Sequence, residues 1–163
     1  MHTGIDIGIK YTGVVTVDDN GKVLCHECFG SGINCELNKS EVRKNTAKRW
    51  CLYKDYLWRY FDANNITGTV VIEAPFNLSG DAKKLLELKG IYITVAGAIC
   101  GTSKVYLLPP TTIKKFFTGS GIAHKDVIIA KCRQLGYSPP NDNYADAYAA
   151  AMCSVNNDIS QYK

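Results

Sequence analysis

The sequence predicts an α/β fold with a mixed five-stranded sheet, three antiparallel strands followed by parallel strands, flanked by helices. Two observations lead to this prediction. The first third begins with three β-rich runs joined by short connections, which pair antiparallel. Beyond them, short apolar runs alternate with longer helical stretches, a pattern typical of parallel strands crossed by helices. A length of 163 residues fits one domain, residues 1–163.

The first three strands form a predicted meander. Residues 4–8 and 12–17 are rich in β-branched side chains and are separated by a short loop. Asn20 and Gly21 then form a strong hairpin signal, because both tolerate the positive φ that tight turns require. Val23 begins the returning strand, so three consecutive strands lie side by side.

Helices and single strands alternate in the remainder of the chain. A fourth strand is predicted at residues 69–73 and a fifth at 104–108, the latter stopped by two prolines. Residues 80–100 are expected to form one long helix, although residues 91–95 have strand propensity. The other predicted helices are residues 38–63, 111–117, 124–135 and 142–155.

Composition excludes two classes of protein. No apolar stretch approaches the roughly 20 residues that a membrane span needs, so we expect no membrane association. Asp6 lies where a secretory signal would carry its apolar run, and the seven cysteines form an odd, scattered set rather than a disulfide framework. The sequence therefore predicts an intracellular protein in a reducing compartment.

The charges are unevenly distributed although the net charge is only +4. Residues 39–61 carry seven cations against two acids, and residues 104–133 carry six against one, whereas residues 1–38 carry five acids against two cations. Two basic segments around an acidic remainder suit a polyanion bound near a metal site. Solvated helix faces explain the same charges equally well.

Several carboxylates occupy apolar elements. Asp6 lies inside the first strand, Glu73 ends the fourth, and Asp146 lies in an otherwise apolar helix, with Asp142 one turn earlier and Asn143 on the same face. A buried carboxylate is costly unless a cation compensates it, and hard divalent cations prefer oxygen ligands. A helix cap or a salt bridge explains any one of them alone, but all three elements together favour a metal.

Four motifs span nearly the whole chain: residues 4–13 (GIDIGIKYTG), 71–76 (VIEAPF), 113–125 (IKKFFTGSGIAHK) and 143–147 (NYADA). In the same order, they resemble the motifs of the RuvC-type Holliday junction resolvases, members of the RNase H-like superfamily. The compact resolvases of phages and large DNA viruses are especially similar. One departure is Asn143, because the family usually has an acid three residues before the last aspartate. We expect Asp142 to take that role; otherwise Asn143 would bind metal through its amide oxygen.

The resemblance implies a Mg²⁺-dependent endodeoxyribonuclease that resolves four-way junctions by paired symmetric nicks. Two Mg²⁺ ions per active site, replaceable by Mn²⁺, would hydrolyse the phosphodiester. The implied metal ligands are Asp6, Glu73, Asp142, Asn143 and Asp146, and the implied catalytic groups are Asp6, Glu73, Asp142, Asp146 and Lys125. The implied DNA contacts are Lys10, Lys114, Lys115 and Lys125 on phosphates and Phe76 on an unpaired base.

A four-way junction has near two-fold symmetry, so paired cuts suit a symmetric homodimer. The helix at residues 80–100 is the expected dimer face, because the small residues Ala96, Gly97, Ala98 and Gly101 permit close approach. The aromatic cluster of Trp50, Tyr53, Trp58 and Tyr60 is expected in the core and interface.

Other functions remain open at this stage. Another RNase H-like nuclease, acting on flaps or RNA–DNA hybrids, would share the acids. A junction-binding module without catalysis is a further alternative. An actin-like or sugar-kinase ATPase needs two such lobes, for which 163 residues do not suffice.

Overall fold

A computed structural model describes residues 1–30, 46–74 and 82–162. Its centre is a five-stranded sheet in the order β3-β2-β1-β4-β5. The strands are β1 (His2–Asp6), β2 (Thr12–Val17), β3 (Val23–Phe29), β4 (Thr69–Glu73) and β5 (Val105–Leu108). The β1–β2 and β2–β3 pairs are antiparallel, whereas β1–β4 and β4–β5 are parallel. The predicted mixed α/β sheet is confirmed.

Helices cover both faces of the sheet. They are α1 (Thr46–Ala63), α2 (Ala82–Cys100), α3 (Pro110–Thr118), α4 (Lys125–Gln134) and α5 (Asp142–Asn156). The stretch with strand propensity, residues 91–95, is helical within α2. Tyr92, Val95 and Ala96 recur at helical spacing and are all buried, so packing of one helix face outweighs the local propensity. Residues 38–45 of the predicted first helix lie outside the described residues.

Some strand limits differ from the prediction. β1 begins at His2 and ends at Asp6, two residues before the expected end, because the chain turns into a tight loop. A Cβ at Gly8 would lie 2.0 Å from the carbonyl oxygen of Tyr11. β5 begins at Val105, since Lys104 belongs to a short 3₁₀ turn.

The apolar residues form two cores, one on each face of the sheet. Ile5, Val14 and Ile72 point toward α1 and α2, whereas Val15 and Val71 point toward α3, α4 and α5. Four of the six described cysteines are buried. In the described part of the chain, no helix is both long and apolar enough to cross a membrane.

Helix α5 lies against the backbones of β1 and β2 without intervening side chains. A Cβ at Gly4 would lie 1.9 Å from the carbonyl oxygen of Ala147 and 2.4 Å from the nitrogen of Ala151. A Cβ at Gly13 would lie 2.3 Å from the carbonyl oxygen of Asn143. Only glycine permits this separation, and it determines where α5 lies over the sheet.

We therefore expect Gly4→Ala to destabilise the protein by about 3 kcal/mol, because the methyl group would push α5 away from the sheet. Urea unfolding followed by circular dichroism measures the change. An unfolding midpoint equal to that of the unmodified protein would contradict the close approach.

Gly90→Ala is the matched control. Gly90 lies within α2, and a Cβ there would meet nothing within 4 Å. Alanine is the better helix former, so this variant should be more stable by about 0.5–1 kcal/mol. The opposite signs of the two glycine-to-alanine changes separate crowding from intrinsic helix propensity.

Candidate active site

Two carboxylates stand side by side at the carboxyl ends of parallel strands. Ile5 of β1 pairs with Ile72 of β4, so the next residues, Asp6 and Glu73, are neighbours. Side chains alternate along a strand, and both carboxylates therefore lie on the face of the sheet that α5 covers. Asp6 is the last residue of β1 rather than an interior one, which corrects the sequence prediction and places it at the rim of the sheet.

Helix α5 brings the other two carboxylates to the same place. Asp146 faces the strand ends, and Asp142 lies one turn earlier, at the first residue of the helix. The side-chain oxygen of Asn141 caps this turn, accepting hydrogen bonds from the backbone nitrogens of Asn143 at 3.0 Å and Tyr144 at 3.4 Å. The cap and the Gly13 contact together determine the position of the first turn.

The pKa values show that the carboxylates repel one another. Burial raises the pKa of Asp6 well above its usual range, and the charges of Glu73 and Asp146 raise it further. Burial and the charge of Asp146 raise the pKa of Glu73 to about 7. Burial also raises the pKa of Asp146. The site thus gathers more negative charge than its own surroundings neutralise, the situation that a divalent cation relieves.

Two lysines supply positive charge from the neighbouring helices. Lys125, the first residue of α4, donates a hydrogen bond from its Nζ to Oδ2 of Asp142. This bond is the main reason that the pKa of Asp142 is lowered and that of Lys125 raised. Lys114 of α3 lowers the pKa values of Glu73 and Asp146 through its charge. The helices that follow β5 therefore place cations beside the acids.

The oxygen-rich donor set is of the kind that hard divalent cations bind. Within residues 1–30, 46–74 and 82–162, however, no three His, Cys, Asp or Glu side chains are placed so that they could hold a metal ion together. One carboxylate, Asp142, is paired with Lys125. Small side-chain movements would have to accompany metal binding.

The other predicted site residues lie in several places. Asn143 donates a hydrogen bond from its side-chain nitrogen to the side-chain oxygen of Asn141 at 3.4 Å, and Asp142 pairs with Lys125, so both candidates for the fourth ligand already have a side-chain partner. Lys10 and Lys115 are exposed, and no interaction with the carboxylates is resolved for them in the described part. Phe76 lies outside the described residues. The roles of all these residues stay predictions.

Sequence reasoning missed one residue of the site, Cys28. Asp6 pairs with Gly13, which pairs with Cys28, so these residues form a row across β1, β2 and β3. Burial, together with the charges of Asp6 and Asp142, raises the pKa of the Cys28 thiol to about 11. The Cys28 thiol is therefore neutral and buried beside the carboxylates. The register of the predicted meander was the signal that could have found it.

The loop between β1 and β2 is held from the opposite face of the sheet. The hydroxyl of Tyr53 in α1 donates to the carbonyl oxygen of Ile9. The hydroxyl of Thr12 donates to the carbonyl oxygen of Gly8 at 3.1 Å and shares a 2.9 Å hydrogen bond with the hydroxyl of Tyr92 in α2. These bonds fix the loop that carries Lys10 beside the strand end at Asp6.

Comparison with known proteins identifies the same fold in solved structures. No protein-family profile matches the sequence, and no curated protein matches it significantly. The structure of Thermus thermophilus RuvC has a TM-score of 0.69 and 24% identity, covering 92% of this chain and 90% of that chain. T. thermophilus RuvC in complex with a Holliday junction substrate has a TM-score of 0.71 and 23% identity, covering 92% and 89%. The chain therefore has the fold of these two structures, which confirms the predicted fold.

The buried acids predict a pH dependence of stability. Folded Glu73 holds its proton up to about pH 7, whereas in the unfolded chain the pKa is near 4.5. Between these values the folded state binds more protons, so raising the pH favours unfolding. We expect the free energy of unfolding of the metal-free protein to fall by roughly 2–3 kcal/mol from pH 4.5 to 7 through this residue.

Glu73→Gln keeps the shape and removes the charge, so the difference between the two proteins reports the titration of Glu73 together with its effect on the pKa of Asp6. The difference between the two proteins also cancels the opposite contribution of His2, whose pKa burial lowers. Urea unfolding in chelator at several pH values measures both curves. Parallel curves for the two proteins would show that Glu73 does not titrate in this range.

Proposed function

We propose that this chain is a structure-selective DNA endonuclease that resolves four-way junctions by paired, symmetric nicks. The observation that carries the proposal is the convergence of Asp6, Glu73 and Asp146, with Lys114 and Lys125 beside them. The fold supports it, since a structure with the same fold, T. thermophilus RuvC, was solved with a Holliday junction substrate.

Two Mg²⁺ ions would be held by the four carboxylates. When bound, such ions supply an activated water and neutralise the charge that develops on the phosphate, and Mn²⁺ would substitute for them. Asp6 would hold them together with Glu73, Asp146 and Asp142, whose charges all act on it. Glu73 would complete one side, and Asp146 with Asp142 the other.

The lysines would act on the DNA rather than on the metals. Lys125 keeps its proton at neutral pH, because its pKa is raised, and it would stabilise charge at the scissile phosphate. Lys114 would attract the neighbouring phosphate, and the exposed Lys10 and Lys115 would follow the backbone on either side. Phe76 would stack on an unpaired base at the junction centre.

The proposal predicts that Asp146→Asn loses junction cleavage by at least about 10²–10³-fold and still binds junctions, since one metal ligand is lost and the basic surface stays intact. A labelled immobile junction, titrated with Mg²⁺, measures both properties. Asp126→Asn is the matched control. Because Asp126 is exposed on α4, this variant should cleave junctions like the unmodified protein.

Duplex, flap and RNA–DNA hybrid substrates run in parallel determine the substrate class. Symmetric, ligatable nicks confined to the junction support the proposal. Preferential cutting of the flap or hybrid would identify another branch of RNase H-like nucleases. Tight binding of junctions without cutting in Mg²⁺ or Mn²⁺ would identify a binding module.

A homodimer would provide the two active sites that paired nicks require. We propose that its interface is formed by an apolar groove between α1 and α2. This cavity of about 750 Å³ is lined by Trp58, Ile91, Val95 and Ala98, among others. Trp58 is 47% exposed, unlike Tyr53 and Tyr60 of the same predicted cluster, which are buried. A second copy would cover this apolar surface symmetrically.

One part of the predicted dimer face is wrong. Ala96 is fully buried in this chain's own core, because it lies on the side of α2 that packs on the sheet. Ala98, two residues later, is exposed and lines the groove. The available face of α2 is therefore the one that carries Ala98.

Ala98→Lys should weaken dimerisation about tenfold or more, because a long side chain would fill the groove that the second copy has to occupy. Sedimentation equilibrium measures the dissociation constant, and circular dichroism confirms that the fold is kept. Ala130→Lys places the same residue on an exposed position of α4 and should leave the dimer unchanged. Equal effects of the two substitutions would exclude this groove as the interface.

A further inference from the structure

The ion pair between Lys125 and Asp142 engages a carboxylate that the proposed function assigns to metal binding. The Nζ of Lys125 donates directly to Oδ2 of Asp142. While the ammonium group holds that oxygen, it neutralises part of the charge of Asp142 and weakens the attraction of this carboxylate for a cation. Metal binding to Asp142 and pairing with Lys125 are therefore competing events.

The lysine also acts beyond its direct partner. Its positive charge lowers the pKa values of Asp6, Glu73 and Asp146, so it offsets part of the negative charge of the whole carboxylate group. A single ammonium group thus partly replaces the charge that a cation would supply. Lys114 shares the through-space effect on Glu73 and Asp146, but no hydrogen bond with a carboxylate is resolved for it in the described residues.

The ion pair between Lys125 and Asp142 is open to solvent. The side chain of Lys125 is 65% exposed and that of Asp142 39% exposed, and exposed ion pairs contribute little to stability. Asp6, Glu73 and Asp146 are less accessible, at the ends of the strands and beneath α5. A DNA phosphate arriving from solvent can therefore withdraw Lys125 without disturbing the fold.

Resting on the proposed function, we propose that Lys125 is an internal competitor for the metal site and that DNA relieves this competition. Without DNA, Lys125 holds Asp142, and the carboxylates bind the metal with reduced affinity. When a phosphate draws the ammonium group away, Asp142 becomes free to bind the cation. Full metal loading is thereby coupled to the presence of the substrate.

Binding of Mn²⁺ to the full chain, measured by isothermal titration calorimetry without DNA, tests the proposal independently of activity. Lys125→Met should bind Mn²⁺ about three- to tenfold more tightly than the unmodified protein, because the competing cation is gone. Lys114→Met is the matched control, since it removes a nearby charge that has no direct bond to Asp142; its gain should be smaller. Equal gains for the two variants would show that Lys125 acts only through its charge and not through its bond to Asp142, which would overturn the proposal.

A double-mutant cycle tests the direct competition. In a protein that already carries Asp142→Asn, Lys125→Met should raise the Mn²⁺ affinity less than it does in the unmodified protein, because the carboxylate for which Lys125 competes is absent. Additive effects of the two substitutions would contradict the proposal. Thermal unfolding of each variant confirms that the comparison concerns folded protein.

Adding junction DNA with non-hydrolysable linkages at the cleavage sites completes the experiment, because Mn²⁺ would otherwise support cutting during the titration. Bound DNA should raise the Mn²⁺ affinity of the unmodified protein more than that of Lys125→Met, since only the former has a competitor to remove. An equal rise would overturn the coupling. Failure of every variant to bind Mn²⁺ would instead refute the proposed metal-dependent function, so the two failures are distinguishable.

Discussion

The close contact between α5 and the glycines of β1 and β2 governs the rest of the architecture. Gly4 and Gly13 let the helix rest on backbone atoms, with alanines rather than larger side chains facing the strands. Because α5 is so near, Asp146 reaches the two strand ends that carry Asp6 and Glu73. A bulkier residue at either glycine would separate the helix from the sheet and disperse the carboxylates.

Gathering the carboxylates carries an energetic cost. Burial and mutual repulsion both raise the pKa values of Asp6 and Glu73, so their ionised forms oppose folding. The rest of the molecule offsets this cost through two extensive apolar cores and the lysines of α3 and α4. Such a group of acids is typical of functional sites, where stability is sacrificed for the ability to bind charge.

Much of the fold and the candidate acids could be predicted from sequence because their signals are local. β-rich runs and the Asn20–Gly21 turn indicated the meander, and acids in apolar segments indicated the site. The end of β1 at Asp6 depended on the tight loop at Gly8, and the Lys125–Asp142 pair depends on how α4 packs beside α5. The place of Cys28 followed from strand register. The packing of α4 beside α5 joins residues that are distant in sequence, and it leaves no local pattern from which the ion pair could be predicted.

The loop between β1 and β2 and the carboxylates of the site are held from opposite faces of the sheet. Tyr53 and Tyr92 anchor that loop from α1 and α2, whereas α5 positions the acids from the other side of the sheet. Substitutions in one helical layer can reshape the approach to Lys10 while the opposite layer keeps the carboxylates in register. The position of this loop and the position of the acids are thus determined from opposite faces of one sheet.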